Sequence, residues 1–231
     1  MHIPDGFING GTSVAGGAIA AGLVVVTVKK AAKTVDDRQI PMVGLSAAFI
    51  FALQMLNFPV ASGTSGHLLG GVLAAVLVGP WAGALCVTVV LIVQALLFAD
   101  GGLSALGLNV LNMGFVGAFV GYGIFIALRR VLPARKSSVV GAAGIAAALA
   151  PVLASVVFTA EYALGGNGAA SVGKVATAMI GVHVLIGIGE GIITAMTISA
   201  VLASRPDLVY GAQSVLLTGA PADTTPAMVS R

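Results

Sequence analysis

Three histidines occur in 231 residues, and one of them, His2, stands directly behind the first residue. A free α-amino group followed by histidine is a chelate. The Met1 amine, the main-chain nitrogen of His2 and its Nδ1 can close one five-membered and one six-membered ring around a metal. Three nitrogens in a plane suit Ni(II) or Cu(II). The peptide amide must lose its proton to bind this way, which strong planar-field ions promote and Zn(II) or Mg(II) do poorly. The plain alternative is a histidine that happens to fall second. A rival metal or proton site is His183 with Glu190, seven residues apart and so on one helix face. At 1.5 Å per residue they are about 10.5 Å apart along the axis, too far for both to bind one ion directly.

The elements that must carry these residues are set by composition. Hydrophobic residues make up 58% of the chain and charged residues 8%, against about 25% charged in a soluble domain. The expected fold is an all-α membrane protein. Glycine is abundant (32) and aromatics are few, which favours close helix packing through small residues. A transmembrane barrel would alternate in segments of about ten residues. The net charge of +3 sits in clusters between apolar runs, so it speaks to membrane orientation rather than to nucleic acid. Cys86, the one cysteine, lies in an apolar run and reads as a small buried hydrophobe. Residues 1–11 lack the basic start of a signal peptide. Histidine at position 2 is bulky, so Met1 is expected to remain and to supply the terminal amine.

Apolar runs of about 20 residues are needed for each span. They predict spans at about 12–28, 40–58, 67–79, 81–98, 104–128, 138–160 and 175–203, in one domain over 1–204, with 205–231 a flexible cytoplasmic tail. The run from His67 to Ala99 is divided at Gly79-Pro80. Charge parity supports this division. With Lys29 to Arg38 in the cytoplasm, dividing the run returns Arg129 to Lys136 and Arg205 to the same side and leaves only Lys174 outside. The N-terminus is then outside and the C-terminus inside. The 67–79 piece is short, and its preceding loop is expected to dip into the membrane, where it must be buried in protein or line a cavity.

Polar residues within spans are costly. His67 directly follows Ser62-Gly63-Thr64-Ser65-Gly66 and is readable as an interface histidine satisfied by backbone. Asn109 and Asn112 share a helix face, and interhelical hydrogen bonding accounts for them and for Gln94. Asp100 and Glu161 sit near outer span ends and read as loop or cap residues. By parity, Met1 and His67 fall on the same side. The segment before the first span can extend roughly 35 Å, so the N-terminus can reach His67. One imidazole nitrogen of His67 would then join the three of the N-terminus, making four.

With these pieces together, the sequence resembles the CbiM/NikM family, the substrate-binding (S) components of energy-coupling factor transporters for nickel and cobalt. The resemblance lies in 1-MHIPDGF-7, 62-SGTSGHLLGG-71, 78-VGPW-81, 94-QALLFADGGLSALGLNVLNM-113 and, more weakly, 183-HVLIGIGEGIIT-194, and extends over nearly the whole chain. It implies a bundle of about seven transmembrane helices with the N-terminal segment inserted toward the core as a plug. It implies metal ligands at Met1 (amine), His2 (main chain and side chain) and His67, a supporting role for Asp5, and Asn109 and Asn112 facing the plugged cavity; Ser65 belongs to the same supporting set. The Pro4-Asp5-Gly6 start and the Gly-Thr-Ser-Gly-His segment resemble nickel-type members, with cobalt uptake linked to cobalamin synthesis the alternative. The implied partners are a transmembrane coupling (T) subunit, two ATP-binding (A) subunits and an accessory small membrane subunit in a prokaryotic cell membrane. No G-x-x-x-x-G-K-[ST] phosphate loop occurs, so the chain is expected to be a transporter subunit without its own ATPase and without a resident cofactor. A membrane metalloenzyme using His183 and Glu190 is the remoter alternative and lacks a paired motif such as H-E-x-x-H. A vitamin carrier would want an aromatic pocket, and one tryptophan and three tyrosines are available.

Overall fold

The computed structural model describes residues 1–60 and 64–213, and these form a helical bundle. Its helices are α1 (Gly10–Thr34), α2 (Ile40–Gln54), α3 (Gly71–Val78), α4 (Pro80–Leu97), α5 (Leu106–Val131), α6 (Lys136–Gly165) and α7 (Val172–Ser204). The expected all-α membrane bundle of about seven helices is therefore what the chain forms. Five of them, α1, α4, α5, α6 and α7, are long and apolar enough to cross a membrane. Lipid-facing apolar residues such as Val14, Leu97 and Leu185 remain exposed on the outside of the bundle.

The centre of the bundle is α3. All eight of its residues are buried, and a helix apolar on every side belongs inside a core. At about 1.5 Å per residue it is only ~12 Å long, a half-helix shorter than the already short 67–79 piece expected from the sequence, with His67 before it. Gly79 breaks the chain, Pro80 opens α4 at a position where its missing N–H costs nothing, and α4 folds back along α3. Small residues set the spacing. A Cβ on Gly83 would come within 2.7 Å of the Ala75 nitrogen, and one on Gly71 within 2.5 Å of the Gly117 carbonyl carbon.

Within α5, residues Val110–Val120 widen to the π-helical hydrogen-bond pattern, and the flanking turns are α-helical. Such stretches often accompany functional sites. The segment before α3 is extended. Strand β1 (Phe58–Pro59) pairs antiparallel with β2 (Ser65–Gly66), with Phe58 opposite Gly66 and Pro59 opposite Ser65. Ser62 and Gly63 of the glycine-serine segment lie outside the described residues.

Among the boundaries that differ from the sequence expectation, two change the path of the chain. Helix α2 stops at Gln54 rather than running to 58, because the chain must turn into β1. Residues 205–213 are not a free tail. They form two short 3₁₀ turns, Pro206–Leu208 and Tyr210–Ala212, in which Val209 and Ala212 are fully buried. The Tyr210 ring lies 6.3 Å from that of Tyr122, closing the bundle beneath Gly79. The rest of the expected tail, 214–231, lies outside the described residues.

Candidate metal centre

The first eight residues run into the bundle instead of away from it. Met1 and Ile3 are 0% exposed and His2 is 3% exposed. Burying a terminal amine and an imidazole together is costly unless something binds them. The insertion is held by its backbone. Ile3 N donates to Asn109 Oδ1 at 2.7 Å, Asn109 Nδ2 donates back to Ile3 O at 3.2 Å, and Gly102 N donates to the same carbonyl at 2.8 Å. Asn109 thus clasps the residue next to His2 as a strand partner would. A turn follows, closed by Phe7 N on Pro4 O at 3.3 Å, and Asp5 Oδ1 accepts from Ser104 Oγ at 2.6 Å and Ser104 N at 2.8 Å. Those Ser104 bonds, the hydroxyl's first, hold the Asp5 carboxyl below its usual range. The Phe7 ring packs 4.8 Å from Tyr162, and Ile8 bridges to Gly166. Asn9 then caps α1 by accepting from Thr12 N at 2.9 Å.

His67 meets this segment from below. It precedes α3, is 0% exposed, and its ring centroid lies 4.6 Å from that of His2 at an interplanar angle of 35°. His67 Nδ1 is 2.8 Å from the Leu68 carbonyl oxygen. A carbonyl only accepts, so Nδ1 carries the proton and Nε2 keeps its lone pair. That Nε2 is buried with no hydrogen-bond partner among the described residues. His2 presents Nε2 to Asp100 Oδ2 at 3.5 Å, and this Nε2 also lacks a hydrogen bond. A proton on the nitrogen facing the carboxylate frees Nδ1, the nitrogen a chelate needs. A carboxylate behind a ligand histidine fixes its tautomer and ring orientation. The Met1 amine lies within electrostatic reach of His2, His67, Asp100 and Glu190. Beside His2 an open cleft of about 350 Å³ is lined by Asp5, Ser65, Asp100, Gly101 and Gly102.

Among the described residues, no three His, Cys, Asp or Glu side chains converge as a metal group. Glycines make the room. Gly101 has φ +92°, and a Cβ there would sit 2.7 Å from His2 Nδ1; one on Gly102 would sit 2.4 Å from Asp5 N.

The remaining sequence candidates take other hydrogen-bond partners, although His183 and Glu190 lie within electrostatic reach of the Met1 amine. Asn112 Nδ2 donates to Glu161 Oε2 at 2.7 Å, so its amide is committed to α6 and not to the inserted segment. Glu161, read as a loop or cap residue, is instead buried within α6 as that partner. His183 Nδ1 pairs with Met179 O at 2.7 Å, and its Nε2 is buried without a hydrogen bond. Glu190 places Oε2 2.7 Å from Leu69 N and Oε1 2.9 Å from Gly70 N. His183 and Glu190 therefore serve separate partners. Asp100, read from the sequence as a loop or cap residue, instead faces His2. The signal available was its place in Ala99-Asp100-Gly101-Gly102, where two glycines after a span end let a second chain segment approach.

The chain is similar to proteins already known. A protein of Archaeoglobus fulgidus named as a fused nickel transport protein is 40% identical over 210 residues, covering 90% of this chain and 68% of that one. The cobalt transport protein CbiM of Sorangium cellulosum is 35% identical over 225 residues, 94% of this chain and 98% of its own. The crystal structure of a truncated transition metal transporter superimposes with a TM-score of 0.80 at 33% identity, covering 88% of this chain and 99% of that one. The family described as CbiM, cobalt uptake substrate-specific transmembrane region, matches residues 2–208, and this chain belongs to it.

Proposed function

We propose that the chain captures Ni(II) in a planar four-nitrogen site made by the Met1 amine, the His2 main-chain nitrogen, His2 Nδ1 and His67 Nε2. The observation that carries this reading is the buried His2–His67 pair, 4.6 Å between ring centroids, with the unpartnered Nε2 of His67 beside an amino terminus that is itself buried. The ion is cargo: it binds by displacing protons from the amine, the amide and the imidazoles. Deprotonating a main-chain amide favours ions with a strong planar field, which selects Ni(II) over Zn(II) or Mg(II). Co(II) is the second reading, supported by the family description and by relatives named for cobalt as well as for nickel.

Orientation follows from charge. Lys29, Lys30 and Lys33 end α1, Arg129 and Arg130 end α5, Arg135 and Lys136 open α6, and Arg205 follows α7. The inserted segment contacts the other ends of α1, α5 and α6. The positive-inside rule then sets the basic end in the cytoplasm and the His2–His67 end outside in a cell membrane. The ion is taken from outside through the cleft beside Asp100. ATP-binding subunits, a coupling membrane subunit and a small accessory membrane subunit supply the energy and the movement, since the chain has no phosphate loop of its own. The deciding experiment is purification with an unmodified Met1, identification of the co-purifying metal, and its absorption spectrum. A planar Ni(II) spectrum supports the reading. Octahedral Ni(II), or retention of the metal when three residues are added before Met1, overturns the four-nitrogen site.

A further inference from the structure

We infer that Glu190 is a positioning residue that ties the His67 ligand to helix α7, so that metal retention depends on where α7 sits; this rests on the four-nitrogen reading above. The geometry is specific. The Glu190 side chain is 2% exposed, and its two oxygens accept from two consecutive main-chain N–H groups, Leu69 at 2.7 Å and Gly70 at 2.9 Å. These are the residues that join His67 to the buried half-helix α3. The first N–H groups of a helix have no partner within it, and no side chain of its own caps α3, because Gly70 holds the N-cap position. A carboxylate from α7 does this across 120 residues of sequence.

The rest of the link is rigid. Leu69 O accepts from Gln54 Nε2 at 2.7 Å, Leu68 O pairs with His67 Nδ1 at 2.8 Å, and Gly70 O accepts from Ala74 N at 3.0 Å. Each peptide group from Leu68 to Gly70 thus has a fixed partner, and His67 inherits its position from them. Helix α7 is itself seated by glycines flanking Glu190. A Cβ on Gly187 would meet Ala148 O at 2.2 Å, and one on Gly191 would meet Gly144 O at 2.7 Å. Backbone contact on either side fixes the height of the carboxylate along α6. A slide of α7 against α6 would carry Glu190 away from Leu69 and Gly70 and release the loop that aims His67 Nε2.

The test is Ni(II) binding to the full-length protein in detergent, with Glu190→Gln, His67→Ala and the double variant. Glutamine keeps the shape but turns an N–H donor toward one of the two main-chain N–H groups. Removing a group that orients a ligand typically lowers metal affinity about 10–100-fold. The expected result for Glu190→Gln is a loss in that range, expressed as faster Ni(II) release, with the apo protein still folded. In the His67→Ala background Glu190→Gln should add no further loss, because it acts through His67. If Glu190→Gln is not recovered folded, Glu190→Asp keeps the charge and shortens the reach by one methylene, with the same expected loss. Wild-type affinity and release in a folded Glu190 variant overturns the inference, as does a full second loss in the double variant. Unchanged binding by His67→Ala alone would instead overturn the four-nitrogen reading, so the two failures are distinguishable.

Discussion

Gly101→Ala is the perturbation that most sharply tests the inserted N-terminus as a chelate. Gly101 adopts φ +92°, and a Cβ there would lie 2.7 Å from His2 Nδ1, 3.2 Å from Asn109 Nδ2 and 3.2 Å from His2 Cγ. Ordinary contact begins near 3.4 Å, so the His2 ring or the loop must shift by about 0.7 Å. A binding constellation tolerates roughly 0.5 Å before it loses its productive geometry. Two costs are therefore mixed in this variant. One is backbone strain of about 1 kcal/mol for a Cβ at positive φ. The other is displacement of the nitrogen that would bind the metal, with an expected loss of roughly 10–100-fold in Ni(II) affinity. Gly168→Ala separates them: Gly168 has φ +79° but nothing within 4 Å of its Cβ position. It should pay the strain in stability and leave Ni(II) affinity intact. The assay is competition against a chromogenic chelator in detergent, with thermal unfolding of the apo proteins alongside. Wild-type Ni(II) affinity in folded Gly101→Ala would refute the reasoning, and so would an equal loss in Gly168→Ala.

Adding three residues before Met1 replaces the amine by an amide and puts the new terminus out of chelating reach of His2; if ~10–16 kcal/mol of binding is shared among four donors, the loss is about 10²–10³-fold, read by equilibrium dialysis with metal analysis. His67→Ala should cost a similar factor, whereas His183→Ala, whose ring is tied to Met179 O, should leave titration calorimetry unchanged. Affinity should fall on acidification because binding displaces the amide proton at every pH; burial holds the Met1 amine and both imidazoles well below their usual values, so a slope of log Kd against pH near one should steepen only below the usual imidazole range of about 6.5. Asp5 acts in a different window. Its carboxyl is held below the usual value by Ser104, so its contribution is complete above about pH 4 and is lost only as pH falls through the lower folded value. Asp5→Asn should therefore weaken binding modestly at neutral pH without moving the pH dependence between 6 and 8.

Much of this protein was legible in its residues. Apolar runs separated by basic clusters determine a membrane bundle because each span must satisfy its own backbone and charges must stay at its ends. Gly79-Pro80 marked the break between α3 and α4 because glycine ends and proline opens helices. That the His2 and His67 rings lie together was also to be expected from chelate chemistry and the family's motifs. Tertiary structure decided which distant group answers each polar side chain. Asn109 and Asn112 share one helix face, yet Asn109 grips Ile3 while Asn112 holds Glu161. Asp100 stands behind His2, Glu190 caps α3, and Val209 and Ala212 close the far end instead of trailing away. Periodicity and composition report that a residue is buried. The partner depends on helix rotation and register between segments more than a hundred residues apart, as for Ile3 and Asn109, and only the packed bundle sets those.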